Sequence, residues 1–197
     1  MMFHFSMLIV VFLLQTGCST NGHHNTEINR LPPLPIGLGV YLLPSLAEHK
    51  LTAALDWDWH AKEYLVGPQM VEELHPFLSG LAARVTFLKE PGGVDAPYDF
   101  ILELRLIDFN YLPRKLNPKD QYSQPPHVDL VLHFRLLASG GQTIAEWHGL
   151  GYGLARGQLG SNQRTRFAGA IRQALQDATK NLDKSLNAHV RRVRPMP

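Results

Sequence analysis

Residues 98–109 read YDFILELRLIDF, and residues 128–154 read VDLVLHFRLLASGGQTIAEWHGLGYGL. Apolar side chains alternate with other residues in both segments, which is typical of β-strands with one buried face. Ser139, Gly140 and Gly141 have the composition of a tight turn, so the second segment is predicted to form two antiparallel strands. The predicted buried face of the first two strands consists of Phe100, Leu102, Leu104, Leu106, Val128, Leu130, Leu132, Phe134 and Leu136.

The opposite face of this sheet is mixed in character, as antiparallel sheets often are. It carries the charged and histidine residues that we take as a candidate interface: Glu103, Arg105, Asp129, His133 and Arg135. Ile101, Ile107 and Val131 alternate with the buried residues as well, and they make this face too apolar to be simply solvated. The pattern therefore favours a surface that contacts another protein.

A long apolar stripe predicts a closing helix at about residues 162–189. Its members recur at helical spacing: Phe167, Ile171, Ala174, Leu175, Ala178, Leu182 and Leu186. An earlier helix is predicted to begin at Gly67, and Pro76 inside it is expected to cause a kink, or a break near His75. We expect both helices to pack on one face of a mixed, mainly antiparallel sheet, which is an α+β fold.

Short strands are predicted at residues 36–43, 51–61 and 85–89. Three glycines, Gly149, Gly151 and Gly153, alternate on the last long strand, and their lack of side chains is expected to let a helix or another backbone approach closely. The polar segment of residues 113–126 joins two long strands, and loops of this length often bind ligands or partners.

Residues 51–61 also contain a potential set of metal ligands on one strand face, Asp56, Asp58 and His60. Alternate strand residues lie about 7 Å apart, which is too far for three side chains to share one ion without a bend. A solvated outer face opposite Trp57 and Trp59 explains the same pattern, so no metal site is predicted here.

The amino terminus predicts export. Residues 7–14 are continuously apolar, but eight residues are too few for a membrane span and suit the core of a signal peptide. Gly17-Cys18 resembles the lipobox of bacterial lipoproteins, which implies cleavage before Cys18 and a lipid on its sulfur. Gln15 departs from the Leu, Val or Ile usual in that motif. The alternative is an ordinary signal peptide followed by a free thiol.

The resemblance to lipoproteins divides the chain into four parts. Residues 1–17 form the signal peptide, 18–35 a lipid-anchored flexible tether, 36–190 a single α+β domain and 191–197 a basic tail. Ser19, directly after the cysteine, implies sorting to the periplasmic face of the outer membrane. The basic tail is expected to contact anionic lipid or a partner, unless it is a frayed terminus.

No catalytic constellation stands out in the sequence. There is no Gly-x-Ser-x-Gly, His-Glu-x-x-His or Walker motif. Glu103, His133 and His148 lie on the mixed face, where they would either gather for acid–base or zinc chemistry or form cross-strand pairs with Arg105 and Arg135. We predict a protein that is not an enzyme, with no metal and no cofactor beyond the lipid on Cys18.

The net charge of +2 is too small to indicate nucleic-acid binding. No basic stripe interleaved with aromatic residues is present in the sequence either. The expected partners are instead the membrane, through the lipid anchor, and other envelope proteins, with a homo-oligomeric ring as one arrangement.

Over residues 36–188 the chain is similar to the lipoproteins of the ABC-type transport auxiliary class, the curli-secretion lipoprotein and the TolB amino-terminal domain. The similarity rests on the strand start at Tyr98–Glu103, the Leu136–Gly141 hairpin with Trp147 after it, and the alanine-rich final helix. It implies a tethered, non-enzymatic accessory subunit of an envelope complex for transport, secretion or appendage assembly.

Three functions stay open at this point. The first is a scaffold or adaptor lipoprotein of the envelope. The second is a shuttle for lipids or other hydrophobic molecules, which needs an apolar groove between the closing helix and the sheet. The third is a hydrolase that uses the histidine-bearing face.

The apolar run that ends in Gly17-Cys18 generates a direct prediction. The intact mass of protein extracted from membranes is expected to show loss of residues 1–17 and a lipid adduct on Cys18. A Cys18→Ala variant is expected to leave the membrane fraction; a variant that fractionates unchanged would contradict the lipid anchor.

Overall fold

The computed structural model describes residues 31–53, 62–90, 98–112, 127–154 and 163–194. Predictions for the signal peptide, Cys18, residues 54–61, the 113–126 segment and residues 195–197 lie outside the described residues. The described elements, in chain order, are β1 (Leu34–Leu42), α1 (Pro44–Ala47), β2 (Lys50–Ala53), β3 (Lys62–Leu65), α2 (Gly67–Ser79), β4 (Ala82–Leu88), β5 (Phe100–Leu112), β6 (His127–Ala138), β7 (Thr143–Leu154), α3 (Gln163–Thr179) and α4 (Leu182–Val193).

The main sheet is mixed, as predicted, but it is not mainly antiparallel, because two of its four strand pairs are parallel. Its strand order is β4-β1-β5-β6-β7. β1 runs parallel to both β4 and β5, whereas β5, β6 and β7 form an antiparallel meander. β2 and β3 pair with each other in a separate antiparallel ribbon. β1 begins at Leu34, two residues before the predicted start, and β4 begins at Ala82 rather than at residue 85.

One face of the sheet is buried, and the alternation in the sequence predicted it correctly. All nine predicted positions on β5 and β6 are buried and belong to one core cluster with residues of α2, α3 and α4. Three helices of two or more turns therefore contribute to this core, where we expected two.

Among the described helices, none is both long and apolar enough to cross a membrane.

The closing helix is two helices rather than one. α3 ends at Thr179 and α4 begins at Leu182, with Asn181 outside helical geometry at φ −113°. The Thr179 hydroxyl donates to the Leu175 carbonyl at 2.8 Å, a local bond that competes with continued helix. All seven residues of the predicted stripe are buried, so its face was right although its continuity was wrong.

The predicted break near His75 is also wrong, because α2 continues through Pro76 to Ser79. Proline removes one backbone hydrogen bond from a helix interior. Here Pro76 and Glu72 are both on the exposed side, where water can satisfy the freed carbonyl group. Leu74 and Leu78 are buried on either side of Pro76, so packing holds the helix together.

The glycines of β7 confirm the predicted close approach. A Cβ atom added to Gly149, Gly151 or Gly153 would lie 2.1, 2.1 or 1.9 Å from the carbonyl oxygens of Ala178, Ala174 and Ala170, respectively. Successive glycines are two residues apart on the strand, a rise of about 6.7 Å. Successive alanines are four residues apart on the helix, a rise of about 6 Å, so each glycine lies opposite one alanine. α3 therefore lies antiparallel along β7 with its backbone on the bare stripe.

This contact predicts a large effect from a single methyl group. Gly151→Ala is expected to lower the free energy of unfolding by roughly 1–3 kcal/mol, because the new atom meets the backbone of α3 and the helix must move. Denaturant unfolding of the purified protein measures the change.

Gly140→Ala is the matched control, because no atom lies within 4 Å of a Cβ added there. Equal unfolding free energies for the two variants would contradict the packing of α3 on β7.

Candidate functional site

The outer face of the sheet, opposite the core, is the candidate site. Cross-strand pairs place its residues side by side: Glu103 with Arg135, Arg105 with His133, and Asn110 with Asp129. On the far side of β6, Arg135 neighbours Glu146 and His133 neighbours His148. All five candidate interface residues thus lie on this face, as the alternation predicted.

The half of the outer face near the start of β5 is covered. Ile101 and Leu137 are buried there, although both point away from the main core. The side chains of Leu88 and Tyr98 lie over Gly39, at 3.0 and 3.2 Å from the position of an added Cβ. This half of the face is therefore a second, smaller packed layer.

Glu103 belongs to this covered half and is only 5% exposed. The Arg135 Nε–H group donates to Glu103 Oε2 at 2.6 Å, and Arg135 Nη2 contacts the same oxygen. A buried carboxylate requires such a partner, because desolvation without one costs several kcal/mol. Glu103 is therefore a structural acid, and it is not accessible to a protein partner.

The histidines form a pair without Glu103. The rings of His133 and His148 lie 4.9 Å apart, and His133 Nε2 lies 3.4 Å from Glu146 Oε2. Of the two alternatives left open by the sequence, the gathering of Glu103 with both histidines is wrong, because Arg135 holds Glu103, and the cross-strand pairing with Arg105 and Arg135 is confirmed. Within the part of the chain that the structure describes, no three His, Cys, Asp or Glu side chains are arranged to hold a metal ion.

The other half of the outer face is open and carries several apolar side chains among polar ones. β1 ends at Leu42, and its last backbone contact with β5 is the Leu43 N–H donating to the Leu104 carbonyl at 2.9 Å. Beyond that point the register puts Leu112, Val131, Leu150 and Tyr152 on the outer face of the meander. We call these four residues the apolar patch.

Three members of the apolar patch are unusually exposed for their size. Leu150 is 69% exposed, Tyr152 45% and Leu112 43%. Ile107, at the bulge that interrupts the β5–β6 register, is also exposed. Adjacent large apolar residues on ordered strands mark interaction sites more often than single exposed ones do.

Two N–H groups on the edge of β7 beside this patch are capped by side chains of α3. The Tyr152 N–H group donates to Asp177 Oδ2 at 3.2 Å, and the Leu154 N–H group donates to Gln173 Oε1 at 3.1 Å. Both acceptors come from α3, which thereby blunts an otherwise exposed strand edge. These two N–H groups are therefore not available to an added strand.

Sequence reasoning missed the apolar patch, although a signal was present. Leu150 and Tyr152 lie between the three glycines of β7, and glycines that face a helix force the residues between them outward. Leu112 gave no such signal, because its outward position depends on the β5 bulge.

Apart from the outer face of the sheet, the structure has a cleft between α2 and α3. It encloses about 270 Å³ and is lined by Glu73, Leu74, Pro76, Phe77, Arg172, Leu175, Gln176 and Thr179. Two hydrogen bonds of 2.8 and 2.7 Å join Arg172 to Glu73 across it. These bonds, with the charge of Glu73, raise the pKa of Arg172 above its ordinary value. The cleft is half polar and lies between two helices.

No family model and no curated protein matches this chain. Several solved structures are similar to it. One is a Xanthomonas campestris protein of family DUF330, which is 15% identical and has a TM-score of 0.55; the match covers 84% of this chain and 91% of the Xanthomonas chain. A Helicobacter pylori protein described as a candidate neuraminyllactose-binding hemagglutinin homolog is 13% identical, with coverages of 85% and 94% and a TM-score of 0.52.

A minor lipoprotein from Acinetobacter baumannii is similar at lower level, with 12% identity, coverages of 80% and 94% and a TM-score of 0.43. At such identities the two better matches establish a shared fold alone. The finer resemblance to the curli-secretion lipoprotein and the TolB amino-terminal domain stays a prediction.

The buried ion pair on the outer face generates a stability prediction. Arg135→Ala is expected to cost roughly 1–3 kcal/mol of unfolding free energy, since it strands the Glu103 carboxylate in a covered site. Thermal or denaturant unfolding tests this.

Arg105→Ala is the control on the neighbouring position of the same face, because Arg105 is exposed. Its expected cost is within about 0.5 kcal/mol. A larger loss for Arg105→Ala than for Arg135→Ala would overturn the distinction between covered and open halves.

Proposed function

We propose that this chain is a lipid-anchored accessory subunit of a bacterial envelope complex, and that it works by association through the apolar patch. The single observation that carries the proposal is the exposure of Leu150 and Tyr152 on β7, with Val131 paired to Leu150 and Leu112 exposed on β5 at the end of the same open half. The partner is another envelope protein or further copies of this chain in a ring.

The composition of the open half suits a protein partner. Its apolar side chains are interleaved with acidic ones, because Asp108 pairs with Val131 and Asp129 pairs with Tyr152, and such a mixed surface is usual in reversible interfaces. The strands that carry these residues are held by two antiparallel ladders, so the surface is formed before any partner arrives. Binding then costs little conformational entropy.

The lipid anchor is part of the proposal, and Cys18 carries it together with the apolar run before it. Acylation would anchor the domain in a membrane, and Ser19 directly after the cysteine favours sorting of the lipoprotein to the periplasmic face of the outer membrane. Anchoring confines partner search to the membrane surface, which raises the effective concentration of the apolar patch.

A hydrophobe shuttle is the second candidate. The backbone contact of α3 with Gly149, Gly151 and Gly153 leaves no room for a ligand between that helix and β7. The cleft between α2 and α3 offers Leu74, Phe77 and Leu175, but the Glu73–Arg172 pair crosses it. A third candidate, the hydrolase, would use the pair formed by half-buried His133 and exposed His148. Association with a partner accounts for the exposed apolar side chains on the open half of the sheet, which neither alternative function requires.

A charge placed in the apolar patch tests the proposal. Leu150→Glu is expected to abolish crosslinking and co-purification of the lipidated protein with its complex from native envelopes, because a carboxylate would be desolvated at the interface. Its melting temperature is expected to stay within about 2 °C of the parent, since Leu150 is exposed.

Leu65→Glu is the matched control, because Leu65 is 63% exposed on β3, outside the five-stranded sheet. This variant is expected to keep the complex intact. Retention of the complex by Leu150→Glu, or its loss in both variants, would count against the apolar patch. Turnover of an ester, peptide or glycan by purified protein would overturn the non-enzymatic reading.

A further inference from the structure

α4 lies across the end of the domain at which the amino-terminal segment arrives. The Leu31 N–H group donates to Asp183 Oδ2, in the first turn of α4, at 3.2 Å. At the other end of the helix, Arg194 Nη1 donates to Asp99 Oδ1 at 2.7 Å. The second oxygen of Asp99 accepts the Gly37 N–H of β1 at 2.7 Å. We call this end, where β1 and β5 begin, the tether end.

The outward side of α4 is cationic. Leu182, Leu186 and Val190 are buried on one side of the helix. Val193 is exposed at the end of the helix, and on the side opposite the buried residues the exposed residues at helical spacing are Lys184, Ala188, Arg191 and Arg192. We call these four residues the cationic face.

The charges of this face are not neutralised by neighbours. Asp183 is the only acid in α4, and its side chain already accepts the Leu31 N–H and Lys184 N–H groups. Across the described ranges of the chain, neither Arg191 nor Arg192 forms an ion pair with a carboxylate. Arg194 is exposed beside them but is paired with Asp99. An anionic surface is the complementary partner.

We propose that the cationic face docks on anionic phospholipid headgroups, so that the tether end of the domain lies against the membrane. This rests on the proposed lipid anchor at Cys18. Only residues 19–30 would then separate the anchor from Leu31, and twelve residues span at most about 40 Å. Because the chain enters the domain beside α4, the tether holds this end of the domain near the bilayer.

Docking would also orient the apolar patch. β5 runs from Phe100 at the tether end to Leu112 in the patch, thirteen residues in all. At about 3.3 Å per residue, Leu112 would stand roughly 40 Å from the tether end, and Val131, which pairs with Asp108, roughly 26 Å from it. The proposed partner would thus be met in the periplasm and not at the lipid surface.

The test uses the full lipidated chain reconstituted in vesicles. Ala188→Cys places a fluorophore on the cationic face, since the only native cysteine is the proposed acylation site. Quenching by headgroup-labelled lipid is compared between pure phosphatidylcholine vesicles and vesicles with 30% phosphatidylglycerol. We expect strong quenching only with phosphatidylglycerol, reversed by high salt, because each basic residue near an anionic surface favours docking about fivefold.

A double charge reversal separates this face from general electrostatics. Arg191→Glu with Arg192→Glu is expected to reduce the docked-to-free ratio by at least about 30-fold. The control reverses two other exposed cations, Lys89→Glu with Arg105→Glu, and changes the net charge equally. This control is expected to keep the quenching.

Equal quenching in the two kinds of vesicle, or equal loss in both double variants, would overturn the docking proposal. Flotation with phosphatidylcholine vesicles measures the anchor separately. A chain that fails to float would contradict the lipid anchor, whereas docking is judged only from the difference that phosphatidylglycerol makes.

Discussion

The contact of α3 with the bare stripe of β7 is the constraint on which the rest of the structure depends. The carbonyl groups of Ala170, Ala174 and Ala178 occupy the space that side chains at Gly153, Gly151 and Gly149 would fill. This contact fixes which face of the meander is buried. It also brings Gln173 and Asp177 to the outer edge of β7, where they accept the free N–H groups of the strand. One helix thus buries a face and protects an edge.

A second consequence follows from the lengths of the strands. β1 has 9 residues and β5 has 13, so the end of the meander extends beyond the strand that pairs with its start. On the paired half, Leu88, Tyr98 and the Glu103–Arg135 pair close the outer face. On the unpaired half, Leu150 and Tyr152 stay exposed because their neighbours on β7 are the glycines that hold α3. The open surface is therefore a product of the same packing that stabilises the fold.

Much of this arrangement could be predicted from the sequence, because its strands have simple alternation. The buried positions of β5 and β6, the stripe of the closing helices and the role of the β7 glycines all follow from periods of 2 and 3.6 residues. Features set by distant contacts could not be predicted. α2 continues through Pro76 because Leu74 and Leu78 are buried on both sides of it, and no local rule reports that burial.

The candidate site was predicted in part for the same reason. The sequence placed its charged residues on the correct face. However, Glu103 is buried, and its carboxylate accepts a hydrogen bond from Arg135 rather than contacting the histidines. Burial on that face depends on Tyr98 and Leu88 crossing over Gly39, which is a property of the chain path. The exposure of Leu112 depends in turn on a bulge between Leu106 and Asp108.

The central claim is that the open half of the outer face is covered by a partner in the native envelope. Site-specific thiol labelling tests it most directly, with single cysteines at Leu150 and, for comparison, at Leu65, read out by peptide mass spectrometry. We expect the thiol at position 150 to react fast in purified protein and slowly in intact envelopes, while the thiol at position 65 reacts equally in both. Equal reactivity of position 150 in the two settings would contradict the account.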